Sequence, residues 1–183
     1  MIDWTWTCLR ATERSLDATF GTNAVAEETA NNKMGPDRWL AAARKVQKHG
    51  FKMNATMLYG HIETTEERVD HLLQTRALQD ETGGLQAFIP LAFHPDNNQM
   101  RKLPAPTGTD TLRVHAVARL MLDNFPHIKA FWMMCTPPVA QSAQWYGADD
   151  IDGTIVTYTI THEIDKDSDS QNLSQQKLVE MIL

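Results

Sequence analysis

Cysteine is nearly absent: 183 residues contain only Cys8 and Cys135, far apart and in Trp-rich or apolar surroundings. That scarcity excludes a disulfide framework and a cysteine-rich metal site, and fits a reducing cytoplasm. A basic excess is also missing. Seventeen Lys and Arg stand against 23 Asp and Glu, a net charge of -6, which leaves no basic face for a general nucleic-acid binder. No apolar run approaches membrane-spanning length, and the start, with Asp3 inside Trp-Thr-Trp surroundings, does not read as a signal peptide. A cytoplasmic protein with neither nucleic acid nor membrane as its partner is therefore expected. What is present is ordinary for a soluble globular domain, 42% hydrophobic and 22% charged, and long enough for one substantial core.

From Pro36 onward the pattern alternates. Asp37 opens an amphipathic stretch with Trp39, Leu40, Ala43 and Val46 at helical spacing and Gly50 as its stop. "FKMNATMLYG" then reads as a buried strand. Thr64 and Glu67 form a capping box, and Val69, Leu72, Leu73 and Leu78 predict the buried stripe of the next helix, which ends at Gly83-Gly84. "LQAFIPLAF" predicts a strand covered on both faces, with Pro90 near the point where the chain leaves the sheet, because proline cannot donate to a ladder. A helix from Asp110, a strand "IKAFWMM", a helix starting at Pro137 and ending at Gly147, and a strand "IDGTIVTYTI" complete the series. Methionines 53, 57, 121, 133 and 134 read as core filling, and Trp39, Trp132 and Trp145 as packing of helices on the sheet. This βα succession specifies an α/β fold with a parallel sheet, either doubly wound or a (β/α) barrel. Three parts follow: residues 1–35 without clear period, the βα region 36–163, and a polar tail 164–183 with a short helix.

In either architecture chemistry collects where strands end and helices begin. The junctions supply Tyr59, Gly60, His61 and Glu63, then His94 with Asp96, Asn97 and Asn98, then Cys135 and Thr136, then Asp149, Asp150 and Asp152. Each has a structural alternative. His61 and Glu63 suit a turn hydrogen bond at a helix start, His94 a satisfied loop histidine, the aspartates a turn, and Cys135 a small buried hydrophobe. A metal-dependent hydrolase using His61, Glu63 and His94 is another arrangement, although no HxH pair or HExxH helix is present.

Several long segments carry a family resemblance: "NATMLYGHIETTEERVDHLLQTRALQDETGG", "AFIPLAFHPDN", "RLMLDNFPHIKAFW" and "AQSAQWYGADDIDGT…ITHE". They resemble the radical S-adenosylmethionine enzymes of the futalosine route to menaquinone, most of all the aminofutalosine synthases. The related cyclase and the deazaflavin-precursor synthases share the Tyr-Gly-His-x-Glu-Thr and Thr-Gly-Gly elements. The resemblance implies the C-terminal half of a TIM-like (β/α) barrel, S-adenosylmethionine and a [4Fe-4S] cluster. The implied small-molecule substrate is a carboxyvinyloxy-benzoate, to which a 5′-deoxyadenosyl radical adds. The 56–63 junction is similar to the superfamily's GxIxGxxE element beside the adenosine: Leu58, Gly60 and Glu63 occupy its last three positions, and Thr56 replaces its first glycine. By this resemblance Leu58, Tyr59, Gly60 and Pro90 contact the cofactor, Gly60 by close backbone approach. His61 and Glu63 are the catalytic candidates, and His94, Asn97, Asp150 and Asp152 face the substrate.

The family's CxxxCxxC motif has no counterpart here, so the chain does not provide the three thiolates of a cluster with one open iron. A truncated, frameshifted or split reading frame accounts for that. Either way the expectation is an open half-barrel with unpaired edges, which self-associates or pairs with an N-terminal half-barrel. A catalytically inactive remnant is the alternative.

Overall fold

Capping chemistry sets where the helices begin. The computed structural model describes residues 36–95, 100–153 and 173–183. Helix α1, Pro36–Lys48, carries Asp37 in its first turn and Lys45 and Lys48 in its last, which complement its dipole. Strand β1 is Met53–Tyr59. Helix α2, Thr65–Thr82, starts on the expected capping box: Thr64 Oγ1 accepts from Glu67 N–H and the Glu67 carboxylate accepts from Thr64 N–H. It ends on Gly83, whose φ of 58° places it in the left-handed region. Strand β2 is Leu85–Ala92 and helix α3 is Gly108–Met121. The latter begins two residues before the expected Asp110. Thr107 is its N-cap, and Asp110 is the third helical residue of a second capping box.

Strand β3, His127–Ala130, is shorter than the apolar run that predicted it. Trp132–Cys135 turns instead into one helical turn, α4, in which the Met134 and Cys135 N–H groups donate back to Phe131 O. A short apolar run fits strand and buried helix equally, and the indole of Trp132 decides it by donating to the carbonyls of Asp152 and Gly153. Helix α5, Pro137–Ala143, runs into a 3-10 turn, Gln144–Tyr146. Strand β4 is the pair Asp150–Ile151, so Asp150 lies within the strand instead of before it. Asp152 and Gly153 of the predicted last strand lie outside β4, and the part beyond Gly153, along with Cys8, Asp96, Asn97 and Asn98, lies outside the described residues. Helix α6, Gln175–Ile182, is the short terminal helix.

The sheet has the order β1-β2-β3-β4, and all its pairs are parallel. Such an α/β arrangement is consistent with part of a barrel wall. Its helices pack on one face: Ala55, Met57 and Tyr59 of β1 join Phe88 and Ala92 of β2 and Ile128 of β3 beneath Leu40, Ala43, Leu72, Leu78, Val114 and Ala118. A second cluster joins Ala130 to Trp132, Ala140, Ala143 and Leu173. Two expectations about packing fail. Leu73 is exposed, and the buried stripe of α2 runs through His71, Leu72, Thr75, Leu78 and Gln79, because hydrogen bonds let polar side chains occupy it. Gln79 bonds both the N–H and the O of Leu85, as a neighbouring strand would. Trp145 is also exposed, at 90%.

Pro90 lies near the C-terminal end of β2, as expected, with only Leu91 and Ala92 following it in the strand. Phe93 N–H donates to Tyr59 O on the β1 side. By strand alternation the nitrogen of Pro90, three residues back, faces away from β1. On that side the pairing with β3 has already ended at Phe88, so the missing N–H costs no ladder bond.

Candidate functional site

The C-terminal end of β1 is closed by a turn built on one carboxylate. Glu63 Oε1 accepts from Gly60 N–H at 2.5 Å and from Arg68 Nε at 2.7 Å. Arg68 Nη2 lies 2.6 Å from the same oxygen. Glu63 Oε2 accepts from His61 N–H at 2.9 Å, and His61 Nδ1 lies 2.8 Å from it. Burial by itself would raise the Glu63 carboxyl, but hydrogen bonds from the His61 ring and from the Gly60 and His61 N–H groups outweigh it and hold it down at about 2. The side chains of His61 and Glu63 are each 1% exposed, and the His61 ring stands edge-on to Phe93. This geometry is a turn lock, the structural alternative that the sequence offered.

Gly60 has a reason within the chain itself, apart from the close cofactor approach that the resemblance implied. Its φ is 91°, and a Cβ there would lie 2.7 Å from Pro106 Cβ and Cγ. The close approach is therefore made by Pro106 of the chain itself. Tyr59 departs from its expected role. It is fully buried on the helix-covered face, and its hydroxyl donates to Thr111 Oγ1 at 2.9 Å, while burial keeps its pKa above the ordinary value. The Arg68 guanidinium lies 5.7 Å from its ring centroid.

Sheet parity separates two residues that the resemblance had joined at one cofactor wall. Pro90 pairs with Met57 and alternates with Phe88 and Ala92 of the core, so it stands on the helix-covered face. Leu58 pairs with Leu91, and Thr56 with Ile89, on the opposite face. There Leu58, Ile89 and Leu91 are half-buried, which makes Ile89 and Leu91, not Pro90, the residues of β2 that share a surface with Leu58.

The other strand ends meet in part. His94 Nε2 lies 3.2 Å from Met134 O, which ties the end of β2 to α4. Burial pushes the half-buried Cys135 thiol up to about 12, with Asp152's charge adding to the rise, and Sγ–H donates to Phe131 O. Thr136 beside it has φ 72°, an unusual strain for a β-branched residue. Asp150 and Asp152 both bind Lys129, at 3.3 and 3.1 Å, a residue that sequence reading passed over. Lys129 pairs with Asp150 across β3 and β4, and that register was the available signal. Burial would lower the Lys129 ammonium, but Asp152 and Asp150 outweigh it and raise it. Burial raises Asp152, with Lys129 offsetting part of the rise, and its Oδ2 is buried without a hydrogen-bond partner. Asp149 is a structural hub: Arg119 Nη2 and the Ile128 N–H donate to it, and His127 Nδ1 lies 3.2 Å away.

The described residues do not fit an iron–sulfur cluster. Cys135 is their single thiol, it is protonated, and no group of three His, Cys, Asp or Glu side chains among them could hold a metal ion. The set His61, Glu63 and His94 is likewise not assembled, since Glu63 is filled by N–H groups and His94 points a ring nitrogen at Met134 O.

Parallel strands backed by helices, with polar residues gathered at the strand ends, define an α/β arrangement consistent with part of a barrel. Residues 82–168 match the model of the CofH/MqnC C-terminal region, and the chain as a whole is similar to the aminodeoxyfutalosine synthases. It is 46% identical over 181 residues to the aminodeoxyfutalosine synthase of Thermus thermophilus, a match covering 93% of this chain and 48% of that protein. It is 39% identical to the aminodeoxyfutalosine synthase of Streptomyces coelicolor, covering 86% of this chain and 43% of the relative. The cyclic dehypoxanthine futalosine synthase of the same organism is 40% identical over 119 residues, 65% of this chain and 30% of the relative. The chain thus spans about half the length of the curated relatives it matches. A match over 93% of the chain is more than residues 36–183 can supply, so the similarity reaches into the first 35 residues, which sequence reading had set apart. Among the described residues, no helix is long and apolar enough to cross a membrane.

Proposed function

We propose that this chain provides the C-terminal barrel portion of an aminodeoxyfutalosine-synthase-type radical enzyme, with the iron–sulfur cluster carried on other polypeptide. The observation that carries this reading is the 46% identity sustained over 93% of the chain. In this reading Leu58, Ile89 and Leu91 form an apolar wall for the adenosine of S-adenosylmethionine. The Glu63 turn holds that wall's end in place, and His94, Asp150 and Asp152 face a small carboxylated aromatic substrate. The bound cofactors would supply the radical chemistry; this chain's residues bind, orient and exclude water. The cytoplasm is the compartment that suits such an enzyme.

The test is reconstitution. The chain, co-produced with the N-terminal portion of the Thermus relative and loaded with iron and sulfide, is expected to form aminodeoxyfutalosine from S-adenosylmethionine and the enolpyruvyl-benzoate. The chain alone is expected to form none. A reconstituted pair with an intact cluster and no product would overturn the reading.

A further inference from the structure

Two hydrogen bonds compete for one nitrogen of His61. Ile62 N–H points at Nδ1 from 2.7 Å, which requires an unprotonated Nδ1. Glu63 Oε2 lies 2.8 Å from the same Nδ1, which requires a proton on it. A neutral ring satisfies only one of these.

Charge and burial decide between them. Were Nδ1 unprotonated, its lone pair would face a carboxylate oxygen at 2.8 Å in a space where both side chains are 1% exposed. Repulsion there is unscreened, and hydrogen bonds to an ionised partner are roughly twice as strong as neutral ones. Ile62, by contrast, is 38% exposed, and water can take its N–H. Glu63 is fixed from behind by Arg68, through Nε and Nη2, and by the N–H groups of Gly60 and His61. The carboxyl is also held near 2, so it is ionised throughout the neutral range.

We propose that Glu63, anchored by Arg68, fixes His61 in the Nδ1–H tautomer, leaving Nε2 as a proton acceptor at the end of β1, with Arg68 as a positioning residue for this pair. With the His61 side chain 1% exposed, Nε2 meets no outside donor in this conformation, and the pair orders the turn that closes the end of β1. The tautomer does not rest on the adenosyl reading above.

Long-range proton–nitrogen NMR of the full chain at alkaline pH tests it, with the His61 ring assigned by its loss in His61→Gln. Nδ1 is expected to carry the proton and Nε2 to show the unprotonated type. A ring protonated at Nε2 alone, or at both nitrogens, overturns the proposal, and this wild-type measurement stands even where a variant fails to fold. Glu63→Gln is expected to move the proton to Nε2; an unchanged ring overturns the role of Glu63. Arg68→Met is expected to populate both tautomers and Arg68→Lys to restore one; a ring indifferent to Arg68→Met overturns the role of Arg68. Because these readouts need neither cluster nor ligand, the tautomer can hold while the adenosyl reading fails, and the reverse.

Discussion

Glu63 and His71 make the fold sensitive to acid in two separate windows. Glu63 falls from its ordinary 4.5 to about 2 on folding, so its contribution is fully present above pH 4.5 and is lost as pH drops through 2. His71, buried at 3% exposure, falls from 6.5 to about 4 because burial disfavours its cation, with the hydrogen bond to Thr56 opposing. Its contribution is present above pH 6.5 and disappears as pH falls to 4. Each shift corresponds to about 3 kcal/mol. Urea melts from pH 8 to 2 should therefore show stability falling in two successive stages. Glu63→Gln should flatten the lower stage and leave the upper. At Gly60 the prediction is steric. Gly60→Ala combines a left-handed φ with a clash against a ring that cannot swing aside, and is expected to cost about 2–4 kcal/mol. Pro106→Gly in the same chain should return the clash component and not the φ component, which two denaturation curves would separate.

Among the elements, capping signals and periodicity were legible while helix faces and strand ends were less so. Thr64, Glu67 and Gly83 announced α2 because their hydrogen bonds are local and fixed by spacing. Its buried face was misread by a residue because Thr75 and Gln79 are polar and are buried only by virtue of hydrogen bonds, to His71 O and to Leu85 and Asn124 O, that apolar periodicity does not register. The same cause truncated β3, where the Trp132 indole reaches residues some twenty positions on. At the candidate site, the residue types at the strand ends were readable, but the sheet face each occupies was not, so Pro90 was joined to Leu58 across the sheet. The corrected face of α2 makes a prediction. Leu73→Lys should change stability by less than about 0.5 kcal/mol, because it is exposed, whereas Leu72→Ala should cost about 2–5 kcal/mol. Thermal melts of the two variants, one residue apart, would show whether the stripe lies where the structure puts it.

For the molecule as a whole, the outstanding question is where the thiolates come from. Cluster assembly needs deprotonated sulfur from several cysteines, and the sequence offers two cysteines, of which Cys135 is held protonated by burial. Raising the pH to ionise Cys135 would not help, since one thiolate cannot hold a cluster against loss to free sulfide and chelator. Anaerobic iron and sulfide treatment of the purified chain should therefore leave no thiolate-to-iron charge-transfer absorption after desalting, and Cys135→Ala should behave identically. The half-buried apolar row Leu58, Ile89 and Leu91, on the face away from the helices, adds a thermodynamic consequence. A complementary barrel half that covers this row removes apolar area from water at about 25 cal/mol per Å², and binding to the folded chain alone raises its apparent stability with partner concentration. Titrating the N-terminal portion of the Thermus relative into this chain should raise its melting temperature progressively, and Leu58→Asp should weaken that rise at least tenfold in concentration. A melting temperature indifferent to the added half would mean that the row is already covered within the chain, and that the fold is complete without a second barrel half.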